Sequence, residues 1–163
     1  MHAEALDFVS RSLAGGVRGL RVLEIGSLNV NGTPRGLCDG CAEYVGIDRV
    51  AGPGVDLVCD AADYDGGRGF DVVLCCEVLE HAPMPELVIA CAWRALRPWG
   101  RLVLTAAGPK RAPHGCDGGP LAPDEHYRGI EVAELSRMLQ DWQVVETEDH
   151  PERGDVYARA VRP

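Results

Sequence analysis

Val22-Leu23-Glu24-Ile25-Gly26-Ser27-Leu28-Asn29-Val30-Asn31-Gly32 decides the reading of this chain. An apolar strand ends in an acid and runs into a turn opened by a glycine, the way nucleoside-binding crevices begin in open α/β sheets. A second short strand, Tyr44-Val45-Gly46-Ile47, ends in Asp48, where a carboxylate is placed to accept both hydroxyls of a ribose. Two acid-tipped neighbouring strands open onto one crevice, so Glu24 and Asp48 are expected to face a nucleoside cofactor.

The flanks supply the rest of a doubly wound sheet. Leu6, Val9 and Leu13 recur at helical spacing, which predicts an amphipathic helix from Ala3 to Leu13, ended by Gly15-Gly16. The first strand follows over Leu20 to Ile25, then a short helix over Thr33 to Asp39 and the second strand over Tyr44 to Ile47. Ala51-Gly52-Pro53-Gly54 is too short and broken for a crossover helix, so a loop leads to a third strand, Val55 to Cys59. Phe70 to Cys76, apolar after Asp71, reads as a central parallel strand covered on both faces. Val88, Cys91, Ala92, Ala95 and Leu96 mark a helix over Pro85 to Arg97, stopped by Pro98-Trp99-Gly100 before a fifth strand, Arg101 to Ala107. Val132, Leu135 and Leu139 mark a last helix. Trp142 to Thr147 and Val156 to Val161 are joined by a connection short enough for an antiparallel hairpin. The expected fold is therefore α/β, a Rossmann-like, mostly parallel sheet with a C-terminal antiparallel hairpin and one reversed edge strand. Trp93, Trp99 and Trp142 are expected in or beside the core.

The 163 residues suit a single domain spanning 1–163, enough to bury roughly 70% of the unfolded surface. A net charge of -9 opposes nucleic-acid binding, which draws on clustered Lys and Arg. No apolar run is long enough for a membrane helix and the charged start is unlike a signal peptide, so a cytoplasmic protein is expected, with oligomeric state left open. Seven cysteines are an odd number lying mostly in apolar segments, which argues for reduced packing thiols over a disulfide framework. Cys38-Asp39-Gly40-Cys41 has CxxC spacing, but no second ligand pair follows, and no metal is expected.

Five segments in order resemble the class I S-adenosylmethionine-dependent methyltransferases. Val22 to Gly26 is similar to the strand and first glycine of that family's motif I, and Gly46-Ile47-Asp48 to its acidic second strand end. Cys59-Asp60-Ala61 stands where the family places the acid and small residue that meet the adenine. Glu77-Val78-Leu79-Glu80-His81 resembles its motif after strand four, and Leu96-Arg97-Pro98-Trp99-Gly100-Arg101-Leu102-Val103-Leu104 its helix-turn-strand ending. The resemblance implies S-adenosyl-L-methionine as cofactor, with donor contacts from Glu24, Gly26, Ser27, Asn29, Asp48, Arg49, Asp60, Ala61, Cys76 and Glu77. Leu28 and Val30 replace two of the usual motif I glycines, leaving Asn29, Asn31 and Gly32 to build the turn. A bare Gly26 is expected to make room for the cofactor.

The acceptor is expected to be a small molecule, bound under the segment from Gly108 to Gly129. That segment gathers His114, Asp117, Asp124, Glu125, His126 and Tyr127 without periodicity, as a mobile lid over a sheet's carboxyl edge would. His81, His114 and His126 are the candidate bases for an acceptor that must lose a proton. Two other readings stand beside the methyltransferase. One is an NAD-dependent oxidoreductase, for which the missing glycines hinder approach of a pyrophosphate. The other is a non-catalytic binding protein that keeps the fold.

Overall fold

The computed structural model describes residues 1–67 and 69–163. Its elements are α1 (Ala3–Ser12), β1 (Arg21–Ile25), β2 (Glu43–Asp48), β3 (Leu57–Val58), β4 (Phe70–Cys76), α2 (Pro85–Ala95), β5 (Leu96–Ala107), α3 (Val132–Met138), β6 (Gln143–His150) and β7 (Asp155–Val161). One sheet carries all the strands in the order β3-β2-β1-β4-β5-β7-β6. The first five run parallel, and β7 is antiparallel to both β5 and β6.

Alternation along the buried strands assigns the two faces. Phe8 and Val9 of α1, with Leu13 just after it, pack on Val22, Val72, Leu74 and Val103, with Phe8 and Tyr157 stacking at 5.0 Å. On the opposite face Val88, Ile89 and Ala92 of α2 and Leu135 of α3 cover Leu23, Ile25, Val73, Cys75, Leu102 and Leu104. β4 is the middle of this core. Its one polar intruder, Asp71, accepts the Arg21 backbone N–H at 2.7 Å and Arg97 Nε at 2.5 Å.

Besides reducing the expected helix over Thr33 to Asp39 to a short 3-10 turn, Arg35–Cys38, the structure differs from the sequence reading at three places. The reversed strand is not the edge: β7, whose Val156, Ala158 and Ala160 are buried, lies one place inside, and β6 with Glu146, Glu148 and Asp149 takes the solvent side. A charged strand blunts an edge, whereas an apolar one needs cover. Second, α2 stops at Ala95 and β5 begins at once with Leu96 pairing to Phe70, so Pro98-Trp99-Gly100 forms an irregularity within the strand. Trp99 adopts φ +65° there and is exposed, unlike Trp93 and Trp142, whose rings meet edge-on at 5.0 Å. Third, β3 shrinks to two exposed residues paired with Ile47 and Asp48.

The short connection from β2 to β3 folds back against the β1 turn. Asn29 N donates to Pro53 O at 2.8 Å, and Gly46 N donates to Asp56 Oδ2 at 2.7 Å. Contact is so close at Gly46 that a Cβ there would lie 2.5 Å from Gly54 O and 2.7 Å from Ser27 Oγ. Gly46→Ala is therefore expected to destabilise the chain by about 1–3 kcal/mol, the usual cost of overpacking, read as a melting temperature several degrees lower. An unchanged melting temperature would show that this packing is loose.

Candidate active site

The parallel strands all end on one side of the sheet, and a cavity of about 570 Å³ opens there, within the usual range for small-molecule sites. Asp48 builds its floor. One carboxylate oxygen accepts the Leu28 N–H at 3.0 Å and the other the Val50 N–H at 3.0 Å, which ties the β1 turn to the end of β2. Each oxygen keeps a second lone pair for a ligand hydroxyl. Asn29 closes the turn by accepting Gly32 N–H on Oδ1 at 3.0 Å, the capping of a loop that lacks glycine at 28 and 30. Gly26, at φ +77°, has a further reason to be glycine: its Cβ would fall 2.2 Å from Val78 Cγ2, so the bare position lets the turn pass the segment after β4.

The walls are acidic. Glu24, Asp48, Asp60, Glu77, Asp124 and Glu125 line the cavity against two arginines, Arg49 and Arg111. Glu24 is almost wholly buried and accepts the Tyr44 hydroxyl at 2.7 Å; burial pushes its carboxyl up to about 7, with the hydrogen bond only partly offsetting this. Glu77 sits at φ +58°, a left-handed backbone that costs a non-glycine residue energy and is common at ligand sites. It is held by its own N–H to Thr105 O at 2.9 Å and by Thr105 Oγ1 donating to Glu77 Oε1 at 2.9 Å. Arg111 bonds the buried Asp155 and lies 3.6 Å from Glu77, while His2 approaches the same two acids at 3.4 and 3.7 Å.

The loop from Gly108 to Gly129 forms the roof. It is folded around its own bonds: Glu125 accepts the backbone N–H of Cys116 at 3.0 Å and of Ala122 at 2.8 Å, and the Cys116 thiol first, then these two amides, draws its carboxyl down to about 2. The ends are anchored by Gly108 N to Gly154 O, Arg128 N to Glu80 O and Ile130 N to Ala107 O. His114 and Tyr127 on this loop meet His81, the three rings lying 4.9 to 5.3 Å apart. Burial first, then His114, pushes the His81 imidazole below its ordinary value. Behind it Glu80 is fully buried with neither oxygen in a well-aligned hydrogen bond; burial, then the charge of Glu77, pushes that carboxyl up.

Of the residues singled out from sequence, Glu24, Gly26, Asp48, Arg49, Asp60 and Ala61 line the cavity, as do Cys76 and Glu77. So do His81, His114 and His126. Ser27 and Asn29 do not: Ser27 is buried against Gly46, and Asn29 faces Gly32 and Gly54. Sequence reasoning passed over Arg111 and Asp155, and it named Tyr127 and Glu80 without giving either a role of its own. Arg111 and Asp155 meet only because β7 lies beside β5, and Glu80 carried the one available signal, an acid inside an otherwise apolar turn. Cys38 of the CxxC pair is buried, which pushes its thiol up to about 12 and leaves it a packing residue.

A family model described as a methyltransferase domain matches residues 23–104, from β1 into β5, and the chain belongs to that family. Ubiquinone biosynthesis O-methyltransferase from Xanthomonas oryzae pv. oryzae is 32% identical over 117 residues, 61% of this chain and 47% of that protein. The same-named protein of Idiomarina loihiensis is 33% identical over 78 residues, 42% of this chain and 32% of that protein, so the chain spans a third to a half of these curated relatives. Among solved structures, the N-methyltransferase NodS from Bradyrhizobium japonicum, in complex with S-adenosyl-L-homocysteine, aligns with TM-score 0.72 at 19% identity, covering 98% of this chain and 86% of its own. At that identity the likeness establishes the Rossmann-like fold. No helix among the described residues is long and apolar enough to cross a membrane.

The raised carboxyl of Glu24 makes a pH-dependent prediction. The folded chain holds this proton more tightly than the unfolded chain, so the stability it contributes is fully present below about 4.5 and lost as pH rises to about 7. Glu24→Gln, which stays neutral, should match the parent near pH 4.5 and exceed it by on the order of 3 kcal/mol at pH 8. Coincident thermal melts at pH 8 would mean that Glu24 ionises without cost.

Proposed function

We propose that this chain is an S-adenosylmethionine-dependent methyltransferase acting on a small-molecule acceptor. The observation that carries the reading is the charge of the cavity, six carboxylates against two guanidinium groups, at the carboxyl ends of β1, β2 and β4 in a methyltransferase-family domain. Such walls attract a ligand bearing a sulfonium and an ammonium and repel the pyrophosphate of NAD, which argues against the oxidoreductase reading. The bound cofactor supplies an electrophilic methyl group on a neutral leaving sulfide.

The chain's own task is positioning, since aligning nucleophile, methyl and sulfur accounts for most of the available rate. Asp48 uses its free lone pairs for the ribose hydroxyls while its other pairs hold the turn. Asp60 and Ala61 face the adenine, and Glu24 and Glu77 surround the charged end. Across the cavity His114 and His126 of the roof join His81 on the acceptor side. His126 Nε2 is buried without a hydrogen-bond partner and so is free to meet an acceptor. The ubiquinone-pathway relatives favour an oxygen acceptor, NodS a nitrogen one, and an imidazole serves either.

Two measurements test this. Asp48→Ala should remove charged hydrogen bonds worth about 1.5–3 kcal/mol and weaken S-adenosylhomocysteine at least ten-fold by calorimetry; unchanged affinity would reject the ribose assignment. Deleting Pro113 to Pro123 should spare that affinity and eliminate methyl transfer in a screen with labelled donor, because the donor site rests on the strands and the acceptor would lose its cover. Full turnover by the deleted protein would remove the loop from the acceptor site.

A further inference from the structure

We propose that Glu80, His81 and His114 form a binding site for one divalent transition-metal ion at the wall of the cavity. One ligand atom from each lies within 4.8 Å of the others. Two ligands on a common ion of about 2.1 Å bond length stand about 3.4 Å apart in tetrahedral geometry, so the widest pair needs to close by up to roughly 1.4 Å. His114 is the member carried on a loop, and a modest shift of that loop is enough.

Three observations point to an ion beyond mere proximity. Glu80 is completely buried and neither carboxylate oxygen makes a well-aligned hydrogen bond, the nearby backbone amides of Glu80 and Ala107 giving it only partial support; a buried carboxylate needs a proton or a cation. The Tyr127 hydroxyl, whose ring packs on both histidines, is likewise buried and unbonded. His114 places Nδ1 3.1 Å from the Ala112 carbonyl. Metal-ligating histidines are oriented in this way, one ring nitrogen donating to a carbonyl and the other keeping its lone pair for the ion.

The donor set selects the class of ion. Two imidazoles and one carboxylate suit zinc, cobalt, nickel or ferrous iron, not magnesium or calcium, which prefer oxygen throughout. Three protein ligands leave a further position open. Occupation would also pin the roof, since Glu80 and His81 precede α2 while His114 belongs to the loop after β5. The site is independent of the methyl-transfer reading: the ion is expected to bind with no cofactor present, and the proton-accepting role would then pass to His126.

Cobalt(II) titrated into the purified metal-free chain tests the proposal, with Cys116→Ser as background because that thiol lies on the same loop. Visible d–d absorption saturating at one ion per chain is expected, without an intense thiolate-to-cobalt band. His114→Ala and Glu80→Gln should each weaken zinc at least ten-fold in competition. Circular dichroism of His114→Ala, a loop substitution, should match the parent and so separate lost binding from lost folding. Zinc, but not magnesium, should slow proteolytic cleavage between Gly108 and Gly129. Absence of binding, cobalt bound through thiolates, or affinity unchanged in His114→Ala would each overturn the site.

Discussion

The Asp48 carboxylate joins two backbone amides, those of Leu28 and Val50, and the ligand side of the molecule depends on that bridge. In a parallel sheet the strand ends are open loops, held only by what crosses between them. Here the β1 turn has lost two customary glycines and the β2–β3 crossover has lost its helix, and the two losses answer each other. The shortened crossover folds onto the turn through Asn29 N to Pro53 O, and Gly54, at φ +90°, passes so close that a Cβ would stand 2.6 Å from Ser27 O. Asp48 fastens the arrangement from below. A bulkier crossover would collide with this turn.

The cavity concentrates acids that the fold must hold against their mutual repulsion. Glu24 meets this by burial and a tyrosine hydroxyl, Glu77 and Asp155 by sharing Arg111, and Glu80 by complete burial beside His81. Burying carboxylates costs stability unless they are paired or protonated, and such groups gather where a ligand later completes the balance. Glu77 adds backbone strain at the same point. Buried acids and a strained backbone thus gather around one cavity, while the two faces of the sheet are packed with ordinary apolar side chains.

The sequence by itself determined the fold class, the strands β1, β2 and β4, the helices α1 and α2, and the acids at the strand ends. Period-2 and period-3.6 patterns are local, and a strand carrying Glu24 or Asp48 at its carboxyl end must present that acid at the sheet edge. Tertiary structure alone decided the order β5-β7-β6, because which hairpin strand lies inside depends on which one buries its apolar face under neighbouring elements. It also decided that Pro98 to Gly100 lie within a strand, a matter of pairing with Phe70. Most of all it decided the contacts of the roof: Arg111 with Asp155, and His114 and Tyr127 with His81, join residues dozens of positions apart. A loop without periodicity writes no such contacts into local sequence, since its shape comes from Glu125 gathering backbone amides and from anchors on β7 and the turn before α2.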